Sequence, residues 1–221
     1  VYIGKHLEQT RGNVAEIRLS ESQWQWFADV MNTASDLDPY FQDPYYIANS
    51  FLAWDAGMAR EANALLEKGS RYRDWDWTLP FFAGFNSFFL LQDNEKAAEF
   101  LMEAYRRPGG SPTFASIASK LAFEERKTTT AIELLEELLR NTSDELERKR
   151  LTVRLNALKD IRLLEDAAAS YRRRFKKKPE SLEQLVSMKV IDRIPTDPLG
   201  GRFYLDPSGT VRSTNERFLM P

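Results

Sequence analysis

The run RRRFKKK, Arg172 to Lys178, sets six cations in seven positions. That density could contact phosphates or lipid headgroups. Alternatively it satisfies the negative end of a helix dipole. One short run without flanking aromatics is a poor nucleic-acid footprint, so no nucleic-acid partner is expected. Two carboxylate pairs, Glu124/Glu125 and Glu136/Glu137, read as solvated helix faces rather than acid–base dyads. His6 is the single histidine, and there is no cysteine. A triad or a histidine metal site would therefore rest on one residue, which reads better as an exposed polar group near a chain end. Gly200-Gly201 follows Asp-Pro and reads as a turn, not a phosphate cradle. The expectation is no catalytic residue, no metal site and no cofactor, hence no enzyme.

The balance of the chain agrees with this. Its 221 residues carry 31 basic and 33 acidic groups, a formal net charge of −2, so nothing overall demands a polyanionic partner. The longest apolar stretch, LPFFAGFNSFFLL (Leu79 to Leu91), falls short of the roughly 20 residues that span a bilayer. No membrane contact is expected from the sequence given. It begins with Val1, as expected of a processed or trimmed form, and a signal peptide or anchor could have preceded it.

The elements that must carry any function recur. PYYIANSFLAWDAGMAREANALLEKG starts at Pro44, LPFFAGFNSFFLLQDNEKAAEFLMEAYRR at Leu79 and PTFASIASKLAFEERKTTTAIELLEELLR at Pro112. Each is an apolar helix, a short polar break and an amphipathic helix with a small residue near its start. Those small residues are Ala62, Ala98 and Ala131, 36 and then 33 residues apart. In the third copy Ile132, Leu135, Leu138 and Leu139 make one stripe, and Thr130 with Glu133 predicts a capping box. The second copy, with the loop before it, holds the aromatic cluster Trp75, Trp77, Phe81, Phe82, Phe85, Phe88 and Phe89. Its helix is apolar almost all round and should be sandwiched, which makes its five Phe core residues; a ligand-binding aromatic groove is the other reading.

A period near 34 residues, with Gly57 closing one helix and Ala62 admitting the next, resembles the tetratricopeptide repeat. Asp93 and Arg126 stand where Gly57 does in the other two copies, and the Asp38-Pro39 step, with Ala34 before it, resembles the close of a preceding repeat. The resemblance covers about residues 20–141 and implies a superhelix of about three helix pairs. It also implies a non-enzymatic, protein-binding scaffold whose first helices line a concave face. Mapped by repeat position, that face presents Ile47, Phe51, Trp54 and Asp55, then Ala83, Ser87 and Leu90, then Ser116, Lys120, Phe123 and Glu124. Such a face suits a partner peptide or protein, or it is filled by the chain's own tail or long helix.

From Thr142 to Lys178 there is neither Gly nor Pro, and Leu151, Leu155, Leu158, Ile161, Leu164, Ala168, Tyr171 and Phe175 recur at helical spacing. One long amphipathic helix is expected, started by a Thr142/Glu145 capping box and packed along the end of the array as a cap. Pro179 stops it. A short helix with Leu182, Leu185 and Val186 inward follows, then strands RFYL and TVRS around a type I turn, Asp206 to Gly209. This tail resembles the soluble part of major pseudopilins of type II secretion at Tyr171, Pro179, Leu182, Leu185, Pro195, Asp197, Pro198, Gly200 or Gly201, and Tyr204. It lacks their methylated hydrophobic segment and an evident acidic calcium loop.

The expected fold is therefore mainly α: a TPR-like array over 1–141, a long capping helix over 142–178 and a small α+β tail with a β-hairpin over 179–221. The expected function is partner binding through the concave face. The alternative is a structural component of a bacterial pilus or secretion assembly, docking through the tail. A bacterial, cell-envelope setting is expected, periplasmic or anchored facing the periplasm rather than cytoplasmic.

Overall fold

Ser20 begins the first helix by a reciprocal exchange. Its Oγ accepts from the Gln23 amide at 3.4 Å, and Gln23 Oε1 accepts from the Ser20 amide at 2.8 Å. Two otherwise orphaned amides are satisfied, and α1 (Glu21–Leu37) follows. These details come from a computed structural model, which describes residues 19–215. His6 lies outside the described residues.

The chain divides into two compact units, residues 1–72 and 73–221. In the first, α1 packs with α2 (Asp43–Ala48), which runs directly into a π-helical stretch, Asn49–Asp55, and α3 (Ala59–Tyr72) packs on that stretch. Tyr45, Leu52, Ala62 and Leu66 are enclosed. The small residue expected at Ala34 is only half-buried. Ser35 takes the enclosed place instead, because its Oγ donates to Asn32 O and accepts from Lys68 Nζ of α3 at 2.8 Å.

The second unit is built from α4 (Thr78–Phe89), α5 (Asn94–Arg106), α6 (Pro112–Glu124) and α7 (Thr128–Asn141), each packed on the next. α8 (Glu145–Phe175) packs on α7 and carries α9 (Leu182–Ser187) and the β1 (Phe203–Leu205), β2 (Val211–Ser213) hairpin. Among the described residues the fold is mainly helical, and these two strands form its only sheet.

The turns between paired helices repeat one device. A residue in the left-handed region closes the first helix at Gly57 (φ 69°), Gln92 (φ 53°) and Arg126 (φ 60°). Carbonyls left over at the helix end accept from amides just past it: Leu52 O from Met58 N, Ser87 O from Asp93 N, Ala122 O from Lys127 N. Five residues after each left-handed residue stands a fully enclosed alanine, Ala62, Ala97 and Ala131. The second copy is thus displaced by one from the expected Asp93/Ala98 register. Asp93 is better used as a cap: its Oδ1 accepts from the Lys96 amide at 2.9 Å. With the register corrected, successive left-handed residues lie 35 and then 34 positions apart (57, 92, 126).

Both predicted capping boxes fail. α7 begins two residues before Thr130, which is exposed inside the first turn. Thr128 is the buried hydroxyl there and donates to Glu165 Oε1 of α8. Thr142 ends α7, donating to Leu138 O, while Asp144 caps α8 by accepting from the Glu147 amide at 2.7 Å.

α8 runs 31 residues without interruption, about 46 Å at 1.5 Å per residue. Its predicted stripe is buried from Leu151 to Tyr171, and Phe175 is half-buried. Lys176, at φ 56°, ends it. The hairpin pairs Phe203 with Ser213 and Leu205 with Val211; its turn closes through Gly209 N to Asp206 O at 2.8 Å. Phe203, Val211, Leu182 and Leu185 sink into the same core as α8, so a hairpin too small to stand alone is held by the long helix.

Candidate interaction surfaces

In the first unit, the expected surface lies on α2 and the π-helical stretch. A π turn shifts side chains relative to an α-helix and often marks a functional position. Its opposite face is spent on the core: Asn49, Leu52 and Ala53 are buried. Phe51 (36% exposed), Trp54 (50% exposed) and Asp55 stay outside, and Ile47 is half-buried. Phe51 meets Phe27 of α1 edge-to-face at 6.0 Å, and Phe27 meets Trp24 in the same way. Of the expected residues of this unit, Phe51, Trp54 and Asp55 are thus exposed.

The second unit corrects four of its seven expected residues. Ala83 and Ser87 are 1% exposed. They share a helix face with Gly84, and a Cβ placed on Gly84 would lie 3.1 Å from Leu101 of α5. Gly84 therefore lies at the seam where α4 meets α5, and the enclosed Ala83 and Ser87 offer no open floor. Ser116 and Phe123 are also buried. Phe123 belongs to the core, and Ser116 Oγ accepts from Arg154 Nη1 of α8 at 2.6 Å. Leu90 is half-buried, Lys120 is partly exposed and Glu124 is exposed, the last two facing each other at 3.9 Å.

The same packing puts the bulky side chains of α4 outside. Phe85, Phe88 and Phe89 are 36%, 37% and 52% exposed. Their rings cluster, with centroids 4.4 Å apart for Phe85–Phe89 and 4.8 Å for Phe88–Phe89. The expectation that all five phenylalanines are core is overturned. Phe81 and Phe82 are half-buried, and Phe81 stacks on Phe114 of α6 at 5.0 Å. The sequence held the signal: Ala83, Gly84 and Ser87 mark one face, Phe85, Phe88 and Phe89 another.

The loop leading into α4 is firmly held. Asp76 pairs with Arg73, and its Oδ1 accepts from the Thr78 amide. Arg107, just past α5, donates through Nη1 to Arg73 O at 2.7 Å and Asp76 O at 2.8 Å, and pairs with Glu103 through Nη2. Trp77, tilted on Phe114 at 5.4 Å, is positioned by this loop. Trp75 is half exposed, with the Arg73 guanidinium 5.4 Å from its ring centroid.

Among the described residues seven ionisable groups depart from ordinary behaviour for structural reasons. Burial lowers the pKa of Arg154, whose Nε has no hydrogen-bond partner. Burial raises that of Glu165, with the Thr128 hydroxyl opposing. Asp206 is held down at about 2 by the Ser208 hydroxyl and the Thr210 amide that its carboxylate accepts from. Burial raises that of Asp160, and the Asp197 carboxylate adds to it. Among the described residues no cluster of three or more His, Asp or Glu could hold a metal ion, and no helix is long and apolar enough to cross a membrane.

Arg154 is the residue that sequence reasoning missed, since it reads only as a polar position on a long helix. Set against known protein families, characterised proteins and solved structures, the chain matches none.

Proposed function

We propose that the chain is a non-enzymatic scaffold of tetratricopeptide-like helix pairs that binds a protein or peptide through exposed aromatic helix faces. The observation that carries this is the exposure of large aromatics: Phe51 and Trp54 in the first unit, and the clustered Phe85, Phe88 and Phe89 in the second. Contiguous exposed apolar groups mark interaction sites in soluble proteins. The recurring left-handed residue and the enclosed alanine five places on, at intervals of 35 and 34, support the repeat reading. Of the concave-face residues expected from the sequence, Ile47, Phe51, Trp54, Asp55, Leu90, Lys120 and Glu124 keep this role.

The alternative, a pilus or secretion part docking through its tail, is less favoured. Leu182, Leu185, Phe203 and Val211 of the tail are spent on the core they share with α8. Affinity capture from the organism that makes the protein separates the two readings. Phe51→Ala with Trp54→Ala, or Phe88→Ser with Phe89→Ser, should lose a partner that wild type retains, with helicity unchanged. Loss with Arg202→Ser and Tyr204→Ser instead would favour the docking tail.

A further inference from the structure

Six cations crowd the end of α8, and the structure shows how they are used. Arg172, Arg173 and Arg174 occupy its last turn, Lys176 is the left-handed cap, and Lys177 and Lys178 follow. All six are exposed. Among the described residues none of the six forms an ion pair, although twelve such pairs involve cations elsewhere. A helix dipole equivalent to about half a charge does not call for six cations. The surplus is conspicuous in a chain whose formal net charge is −2.

The surrounding elements extend this surface. A Cβ on Gly209, at the hairpin turn, would lie 3.9 Å from Lys178 Cδ, so the turn abuts the run. On the other side of the turn, Ser208 Oγ sits 3.5 Å from Arg126 Nη2 of the α6–α7 connection. Arg202 and Tyr204 are exposed on the outer face of β1, and Arg212 pairs across from Tyr204. Asp206 is the acid at the turn. Its carboxylate is occupied by the Ser208 and Thr210 amides and the Ser208 hydroxyl, with Arg212 at 3.6 Å. Glu180 is an exposed acid at the border.

We infer that this end of the second unit is a docking surface for anionic lipid headgroups. The geometry favours a lipid surface over the other polyanions. Nucleic-acid sites combine a basic groove with aromatics that stack on bases. Here the one aromatic of the run, Phe175, is half-buried against Tyr171 at 4.6 Å and covered by the Arg174 guanidinium. An acidic peptide would be read by cations held in place by partners, as Arg107 is. These cations are long side chains on a helix end, and a fluid sheet of headgroups adapts to them. Clusters of four to eight Lys or Arg have this use at membrane surfaces, and a tyrosine among arginines suits the headgroup layer. The contact is peripheral and needs no spanning helix.

The test is co-sedimentation of the full chain with phosphatidylcholine vesicles carrying about 30% phosphatidylglycerol, against pure phosphatidylcholine. Wild type should pellet only with the anionic vesicles, and be released as salt rises from about 0.05 to 0.5 M. Each cation near such a surface multiplies affinity roughly five-fold, so Lys176→Gln, Lys177→Gln and Lys178→Gln together should weaken binding about 100-fold. Arg172→Gln with Arg173→Gln, which leaves the cap intact, should weaken it about 25-fold and guards against a folding defect in the triple variant. No pelleting at low salt, or equal pelleting of both variants with unchanged melting, overturns the proposal. Tighter binding to a short DNA duplex than to the vesicles would also overturn it, assigning the surface to nucleic acid.

Discussion

α4 and α6 open two consecutive helix pairs and are both rich in apolar residues, yet they end up in opposite situations. α6 lies between α5 and α7, and Arg154 of α8 reaches it, so Ala115, Ala118, Leu121, Ala122 and Phe123 are all buried. α4 has α5 as its main packing neighbour within the unit and uses small residues there, leaving three phenylalanines exposed. Hydrophobicity alone does not decide burial; the packing of each helix face does.

The sharpest way to break this contrast is to truncate one phenylalanine on each helix. Phe123→Ala should destabilise the second unit by about 3–5 kcal/mol. Phe89→Ala should cost about 1 kcal/mol or less, because half its surface is already in water. Denaturant titrations followed by hydrogen exchange in α6 measure both, and equal losses would erase the distinction. Next in size is Arg107→Met, which removes a buried guanidinium's bonds to Arg73 O and Asp76 O. A loss of about 2 kcal/mol is expected, with faster exchange in the loop before α4 but not in α7.

Gly84→Ala probes the α4–α5 seam itself. Its new methyl would meet Leu101 Cγ at 3.1 Å and Ala97 O at 3.3 Å. Overpacking of about 1–3 kcal/mol exceeds the helix gain of about 1 kcal/mol, so the net effect should be destabilising by about 1 kcal/mol. A stabilised variant would mean that the seam is loose. The smallest effect belongs to the hairpin. The Asp206 pKa is depressed from the ordinary 3.8 to about 2. Its contribution is therefore full above pH 3.8 and lost as pH falls toward 2. An NMR titration should show the Ser208 and Thr210 amides shifting in that window, with the α4 signals unmoved.

The recurring helix pairs, the unbroken α8 and the hairpin were legible because each rests on local periodicity or turn chemistry. The register of the second turn was not. Asp93 looked like a substitute for Gly57, but carboxylates cap helices better than they adopt left-handed backbone, and Gln92 took that role instead. The capping boxes at Thr130 and Thr142 misled because α7 starts two residues early and ends on Thr142 itself. The surface set failed where a neighbour had to be known. Ser116 is covered by an arginine 38 residues away, a contact no local pattern announces.

Partner binding through exposed aromatics is the central claim, and photo-crosslinking in cells tests it most directly. A benzophenone side chain would replace Trp54 in one variant and Phe88 in another, with exposed Leu146 of α8 as control. The account predicts one discrete protein adduct from position 54 or 88 and none from 146. No adduct from either aromatic position, or the same adducts from all three, would contradict it.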